Sequence, residues 1–123
     1  MKSLACAVAL LALPAAAVAQ TPPRDVSIPS GGDALAARVL DGAGEGARPV
    51  IVLFNGFPAG PNIPCVATEL QAAGYSVVLP QYRGTGASGG TISVAASRED
   101  GAAVVAWLKG QGLAGADPER IGL

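Results

Sequence analysis

Two polar loops, each closing a continuous apolar run, carry the residues of this sequence best placed for chemistry. They are Asn55-Gly56-Phe57-Pro58 and Gln81-Tyr82-Arg83-Gly84-Thr85-Gly86-Ala87-Ser88. A glycine lets the backbone turn close to a bound molecule. The nucleophiles on offer are the Ser88 hydroxyl and the Cys65 thiol, yet the sequence contains no histidine to act as their base. Lys109 belongs to a different element, so a turn role for Ser88 and a packing role for Cys65 are the better readings. Cys65 is expected as a small buried residue on a helix face. Arg83 is expected to pair with a carboxylate or with carbonyls in its turn, and Trp107 to sit in the core. Without histidine, and with Cys65 as the single cysteine beyond residue 19, no metal-ligand set can be assembled, so no metal is expected.

Gly84-Thr85-Gly86-Ala87-Ser88-Gly89 also matches the glycine spacing of a dinucleotide fingerprint. That fingerprint requires a helix opening directly behind it and an acidic residue about 20 positions on. Here Gln81-Tyr82-Arg83 separates it from the preceding apolar run, and Glu99 and Asp100 come too early. A plain glycine turn is the better reading, and no cofactor is expected.

The composition narrows the classes further. With 50% hydrophobic residues, 14% charged residues and a net charge of −1, the 123-residue chain is neither disordered nor electrostatically suited to nucleic acid. Its length suits one domain. Lys2, the apolar run Leu4–Leu13, the break at Pro14 and the small-x-small sequence Ala17-Val18-Ala19 together read as a secretory signal peptide, residues 1–19, cleaved before Gln20. The apolar run falls short of a bilayer span, so no stable membrane anchor is expected. Export places the product in the periplasm or outside the cell. The product then holds seven basic and nine acidic residues, a net −2, and cannot form an internal disulfide because Cys65 is alone.

The elements that must position the two loops follow from the apolar pattern. After a linker over 20–24, Asp25–Pro29 reads as a strand, Ser30–Asp33 as a turn and Ala34–Leu40 as a second strand with Leu35, Ala37 and Val39 on one face. These two form an antiparallel entry to a sheet, followed by a Gly/Ala-rich surface loop over Asp41–Arg48. Pro49–Phe54 and Tyr75–Pro80 are unbroken apolar runs of the kind found in parallel strands buried on both faces. Between them, Asn62 can cap a helix with Pro64 in its first turn, a buried stripe of Val66, Leu70 and Ala73, and Gly74 at its end. The unit is therefore a right-handed βαβ. A second helix is expected over Ser97–Gly110, with Ser97 and Asp100 as a capping box and Val104, Trp107 and Leu108 facing inward. Asp117–Arg120 reads as a turn, and Ile121–Leu123 opens a third apolar strand. In an open α/β sheet ligands sit beyond the carboxyl ends of the strands, which singles out the loops Asn55–Asn62 and Gln81–Thr91.

So arranged, residues 26–123 resemble the N-terminal part of an α/β-hydrolase, in the secreted group of esterase, dienelactone-hydrolase-like and serine-aminopeptidase-like enzymes. Three segments carry the resemblance. Val50–Pro58 is similar to the family's third strand and oxyanion-hole loop. Arg83–Ser88 is similar to its R-G-x-G-x-S turn after the fourth strand. Glu99–Lys109 and Asp117–Leu123 are similar to the helix and strand that lead to the nucleophile. The chain has Asn55 where the family usually has His, and Gln81 where it often has Asp.

The resemblance implies an α/β fold comprising strands one to five of a mostly parallel, eight-stranded sheet with two flanking helices. It also implies acyl transfer, with a serine on a G-x-S-x-G elbow after the fifth strand and an acid and a histidine further on. Residues 25–123 are then expected to be a partial domain truncated before the elbow and inactive by itself. They would belong to an exported serine hydrolase whose substrate is a small-molecule ester or amide. The site residues implied are Gly56, for the turn, and Phe57, whose N–H would supply half of the oxyanion hole, a donor worth roughly 3–4 kcal/mol when preorganised. The alternative expectation is a short exported binding or partner module that uses half the fold without catalysis.

Overall fold

The computed structural model describes residues 19–57, 63–110 and 112–123. The expected signal peptide up to residue 18, and the expected cap Asn62, lie outside the described residues.

Strand β1 (Arg24–Ser30) turns through Gly31 and Gly32 into β2 (Asp33–Leu40), and the two pair antiparallel with Ile28 opposite Leu35. Strand β3 (Arg48–Val52) leads through helix α1 (Pro64–Ala72) to β4 (Ser76–Pro80), which pairs parallel with β3 and antiparallel with β2. Helix α2 (Val94–Lys109) then leads to β5 (Ala116–Gly122), parallel to β3. The sheet order is β1-β2-β4-β3-β5. The fold is therefore α/β, with the antiparallel entry and the βαβ unit read from the apolar pattern both present.

Strand β4 lies between β2 and β3, and all five of its residues are buried, which is why its apolar run is unbroken. Alternation along the strands divides the core in two. Ile28, Leu35, Ala37, Val39, Val50, Val52 and Val78 meet Val104 and Leu108 of α2, together with Leu113. Leu40, Val77 and Leu79 face the other way, against Ala67. Each fully buried Val, Leu or Ile contributes about 1.5–3 kcal/mol by leaving water. Trp107 is partly buried and packs against the α2-side core, as expected.

Three local expectations are corrected. On α1 the residues against the sheet are Ala67 and Gln71, whereas Cys65 is exposed and Val66 is 42% exposed. A small Ala lets the helix lie close to the sheet, and Gln71 can be buried because its amide donates to the carbonyls of Thr21 (2.9 Å) and Asp41 (3.0 Å). Leu70 is only partly buried, and Ala73 is exposed. Helix α2 begins one turn earlier than the pattern suggests. Ser93 is its cap, its hydroxyl accepting from the Ala96 N–H at 3.0 Å, while the Ser97 hydroxyl donates back to the Ser93 carbonyl. Glu99 and Asp100 thus stand beyond the first turn and do not cap the helix. Finally, Asp117–Arg120 belongs to β5, where the ladder with β3 shifts register between Arg48 and Val50. Such an irregularity absorbs a polar, proline-bearing segment at the start of a strand.

Candidate active site

Strands β3 and β4 run parallel, so the loops that follow them emerge side by side. The Leu53 N–H still donates to the Val78 carbonyl (2.9 Å), just beyond the last paired residue of β3. Phe54 and Tyr82 then stack across the gap, with ring centres 5.8 Å apart and planes within 10°. Phe57 meets the same tyrosine edge-on, at 6.4 Å and 62°. Phe54 is anchored from behind, because it packs against the α2-side core. Three aromatic rings therefore form a ladder from the core to the loop tip, where Phe57 is 52% exposed.

Gly56 and Phe57, the two site residues expected from the sequence, lie on this tip and are both exposed. Among the described residues the Phe57 N–H has no backbone acceptor. The Asn55 side chain likewise makes no hydrogen bond among the described residues.

The loop after β4 is held by its own residues and by β2. The Ser88 hydroxyl donates to the Gln81 carbonyl (2.8 Å) and accepts from the Ala36 N–H (2.9 Å). Its proton and a lone pair are thus engaged, which confirms a turn role. The Gln81 side chain accepts from the Ala87 N–H (2.9 Å), and the Gly84 N–H closes the loop onto the Gly89 carbonyl (2.8 Å). Gly84 needs to be glycine: its φ is +74°, and a Cβ there would lie 2.5 Å from the Ile92 nitrogen. The loop bends back on itself well before α2 begins, unlike a dinucleotide-binding turn that opens a helix.

Beneath this loop sits a buried ionic cluster that the residue pattern did not reveal. The Asp100 carboxylate, 1% exposed, accepts from the Arg83 backbone N–H (2.9 Å), from Arg83 Nε (2.7 Å) and from the Ser30 hydroxyl (2.7 Å). The Arg83 guanidinium also donates to Glu99 (2.6 Å) and to the Ala96 carbonyl (3.2 Å). The hydrogen bonds to Glu99 first, then to Asp100, raise the Arg83 pKa above its ordinary value, against the opposing effect of desolvation. Arg83 therefore pairs with carboxylates as expected, but they come from α2 and not from its own turn. Gly31 passes directly against the guanidinium, and a Cβ there would collide with it. The arginine is thus a strut joining the β4 loop, the β1–β2 turn and α2, with its charge neutralised.

Two hollows among the described residues lie away from Gly56 and Phe57. One of about 240 Å³ is lined by Asp25, Arg38, Leu79, Gln81 and Ala87, where Arg38 and Asp25 form an exposed ion pair at 3.2 Å. Among the described residues no cluster of His, Cys, Asp and Glu is arranged to hold a metal.

The sequence matches the family model of the X-Pro dipeptidyl-peptidase (S15 family) over residues 18–122. No curated protein matches the chain. Among solved structures, DcsB in complex with its substrate analogue superimposes with a TM-score of 0.71 at 22% identity, covering 81% of this chain and 35% of that one. The α/β hydrolase GrgF from Penicillium gives 0.70 at 25% identity, covering 82% and 36%. A thermostable carboxylesterase cloned from a metagenomic library gives 0.67 at 23% identity, covering 84% and 36%. The fold is that of the α/β-hydrolases, and the chain spans about a third of the length of these structures.

Proposed function

The chain belongs to the X-Pro dipeptidyl-peptidase (S15) family, and from that premise we propose that it serves an exported serine hydrolase as the sheet and oxyanion-loop portion of its catalytic domain. Residues 1–19 are the export signal, 20–24 a linker and 25–123 the portion of the domain that precedes the nucleophile. The observation that carries this reading is the pairing of two loops at the carboxyl ends of parallel β3 and β4. One of them carries Gly56 and Phe57 on its exposed tip, the Phe57 N–H having no backbone acceptor among the described residues.

In the whole enzyme a serine adds to the carbonyl of an ester or small amide. The carbonyl oxygen becomes an oxyanion that accepts the Phe57 N–H, the alcohol or amine leaves, and water releases the acid. The family description makes an amide that follows proline the substrate to assay beside a simple ester. These 123 residues contain no histidine, so they have no base for the serine and are inactive alone.

The test is fluorophosphonate labelling of the native exported product, read by intact mass. A labelled species heavier than residues 20–123, with labelling retained in Ser88→Ala, is the expected result. An unlabelled product with the mass of residues 20–123 overturns the reading and leaves a short exported binding module in its place.

A further inference from the structure

We propose that the Phe54–Tyr82–Phe57 ladder is the wall of the acyl subsite and selects substrates whose acyl group ends in an aromatic ring. The inference rests on the hydrolase reading above and adds to it the substrate class. The ring of Phe57 hangs from the same residue as the N–H assigned to the oxyanion. In the proposed pose a carbonyl held by that N–H directs its acyl substituent along the ring. Phe57 leaves 52% of its surface exposed, a large apolar face for a loop tip.

The face is also held in place. Phe57 rests edge-on against Tyr82, Tyr82 stacks on Phe54, and Phe54 packs on the α2-side core. A rigid aromatic face favours a flat ring, which it meets edge-on or offset at no further ordering cost, over a flexible alkyl chain that must be immobilised. A methyl group reaching the same place covers little of it. The wall is also uncharged. The guanidinium of Arg83, the residue after Tyr82, is turned into the Asp100 and Glu99 cluster and does not serve to recruit a charged acyl group.

The experiment compares kcat/KM of the full-length protein for p-nitrophenyl phenylacetate and p-nitrophenyl acetate, which share a leaving group. The wild type is expected to favour the phenylacetyl ester. Phe57→Ala keeps the backbone N–H and is expected to lower that preference about tenfold. Tyr82→Leu, which removes the support of the Phe57 ring, is expected to lower it in the same direction. Fluorophosphonate labelling of the same preparations reads the hydrolase assignment independently. A labelled wild type without phenylacetyl preference, or a preference unchanged in both variants, overturns the subsite alone. A wild type that is neither labelled nor active overturns the subsite and the hydrolase reading together.

Discussion

Replacing Asp100 by alanine tests the reasoning about the loop cluster most directly. Its carboxylate is 1% exposed and is the acceptor for three donors: the Arg83 backbone N–H, Arg83 Nε–H and the Ser30 hydroxyl. Each buried donor left without an acceptor costs about 1–3 kcal/mol. The three losses do not simply add, because the guanidinium keeps the Ala96 carbonyl and Glu99, and the serine hydroxyl can rotate. Removing one partner of a buried ion pair costs about 3–5 kcal/mol in measured cases, and that is the loss expected for Asp100→Ala. Asp100→Asn keeps the side-chain volume but turns an N–H toward one of the donors, so it should recover only part of the loss. Glu99→Gln is the control. Glu99 binds the same guanidinium but its side chain is 66% exposed, and exposed pairs contribute about 1 kcal/mol or less. The assay is urea unfolding of the full-length protein at neutral pH, with the slope compared between variants. An Asp100→Ala loss no larger than that of Glu99→Gln, at equal slope, refutes the view that the cluster holds the β4 loop.

Two further outcomes are expected. The Asp117 carboxyl should titrate below its ordinary 3.8, chiefly because Arg120 donates to it (2.5 Å) and also because the Glu119 N–H does. A lowered folded-state pKa means that the associated stability is present above the ordinary value and is lost as pH falls through the lowered one. An NMR titration should show the midpoint moving back up in Arg120→Ala; an unmoved midpoint would sink the assignment. Cys65 is exposed on α1, so its thiol should react with a thiol reagent in the native protein as fast as in urea. Protection of the thiol in the native state would restore the buried placement expected from the sequence.

Element type was largely legible in the residue pattern, for reasons that differ along the chain. The runs over Val50–Val52 and Ser76–Pro80 announce buried parallel strands because helices cover both faces of the sheet there. Leu35, Ala37 and Val39 announce a strand with one core face by simple alternation. Helix α1 was misread at the level of its buried face. Hydrophobicity placed Val66 inward, but close approach to the sheet favours the smaller Ala67, and two backbone carbonyls 30 and 50 residues away make Gln71 buriable. The start of α2 was missed because two serines four residues apart can each cap a helix. Only the backbone at Ser93 is extended there.

The candidate site divides in the same way. The exposed loop position of Gly56 and Phe57 was legible because a glycine-bearing loop after a buried strand is a local feature, and so was the turn role of Ser88. Tyr82, Ser30 and Asp100 were not identifiable as site-forming residues. Their meaning comes from what they meet: Tyr82 meets two phenylalanines of another loop, and Asp100 meets a guanidinium 17 residues earlier and a hydroxyl 70 residues earlier. By itself, then, the sequence determined most of the strands, the order of the βαβ unit and the two loops beyond the carboxyl ends of β3 and β4, because these depend on the spacing of apolar residues and glycines along the chain. Only the tertiary structure decided which charges neutralise one another, which face of α1 is inside and that three aromatic rings stand in line. Those contacts join residues distant in the chain, and their partners are chosen by the geometry of the sheet.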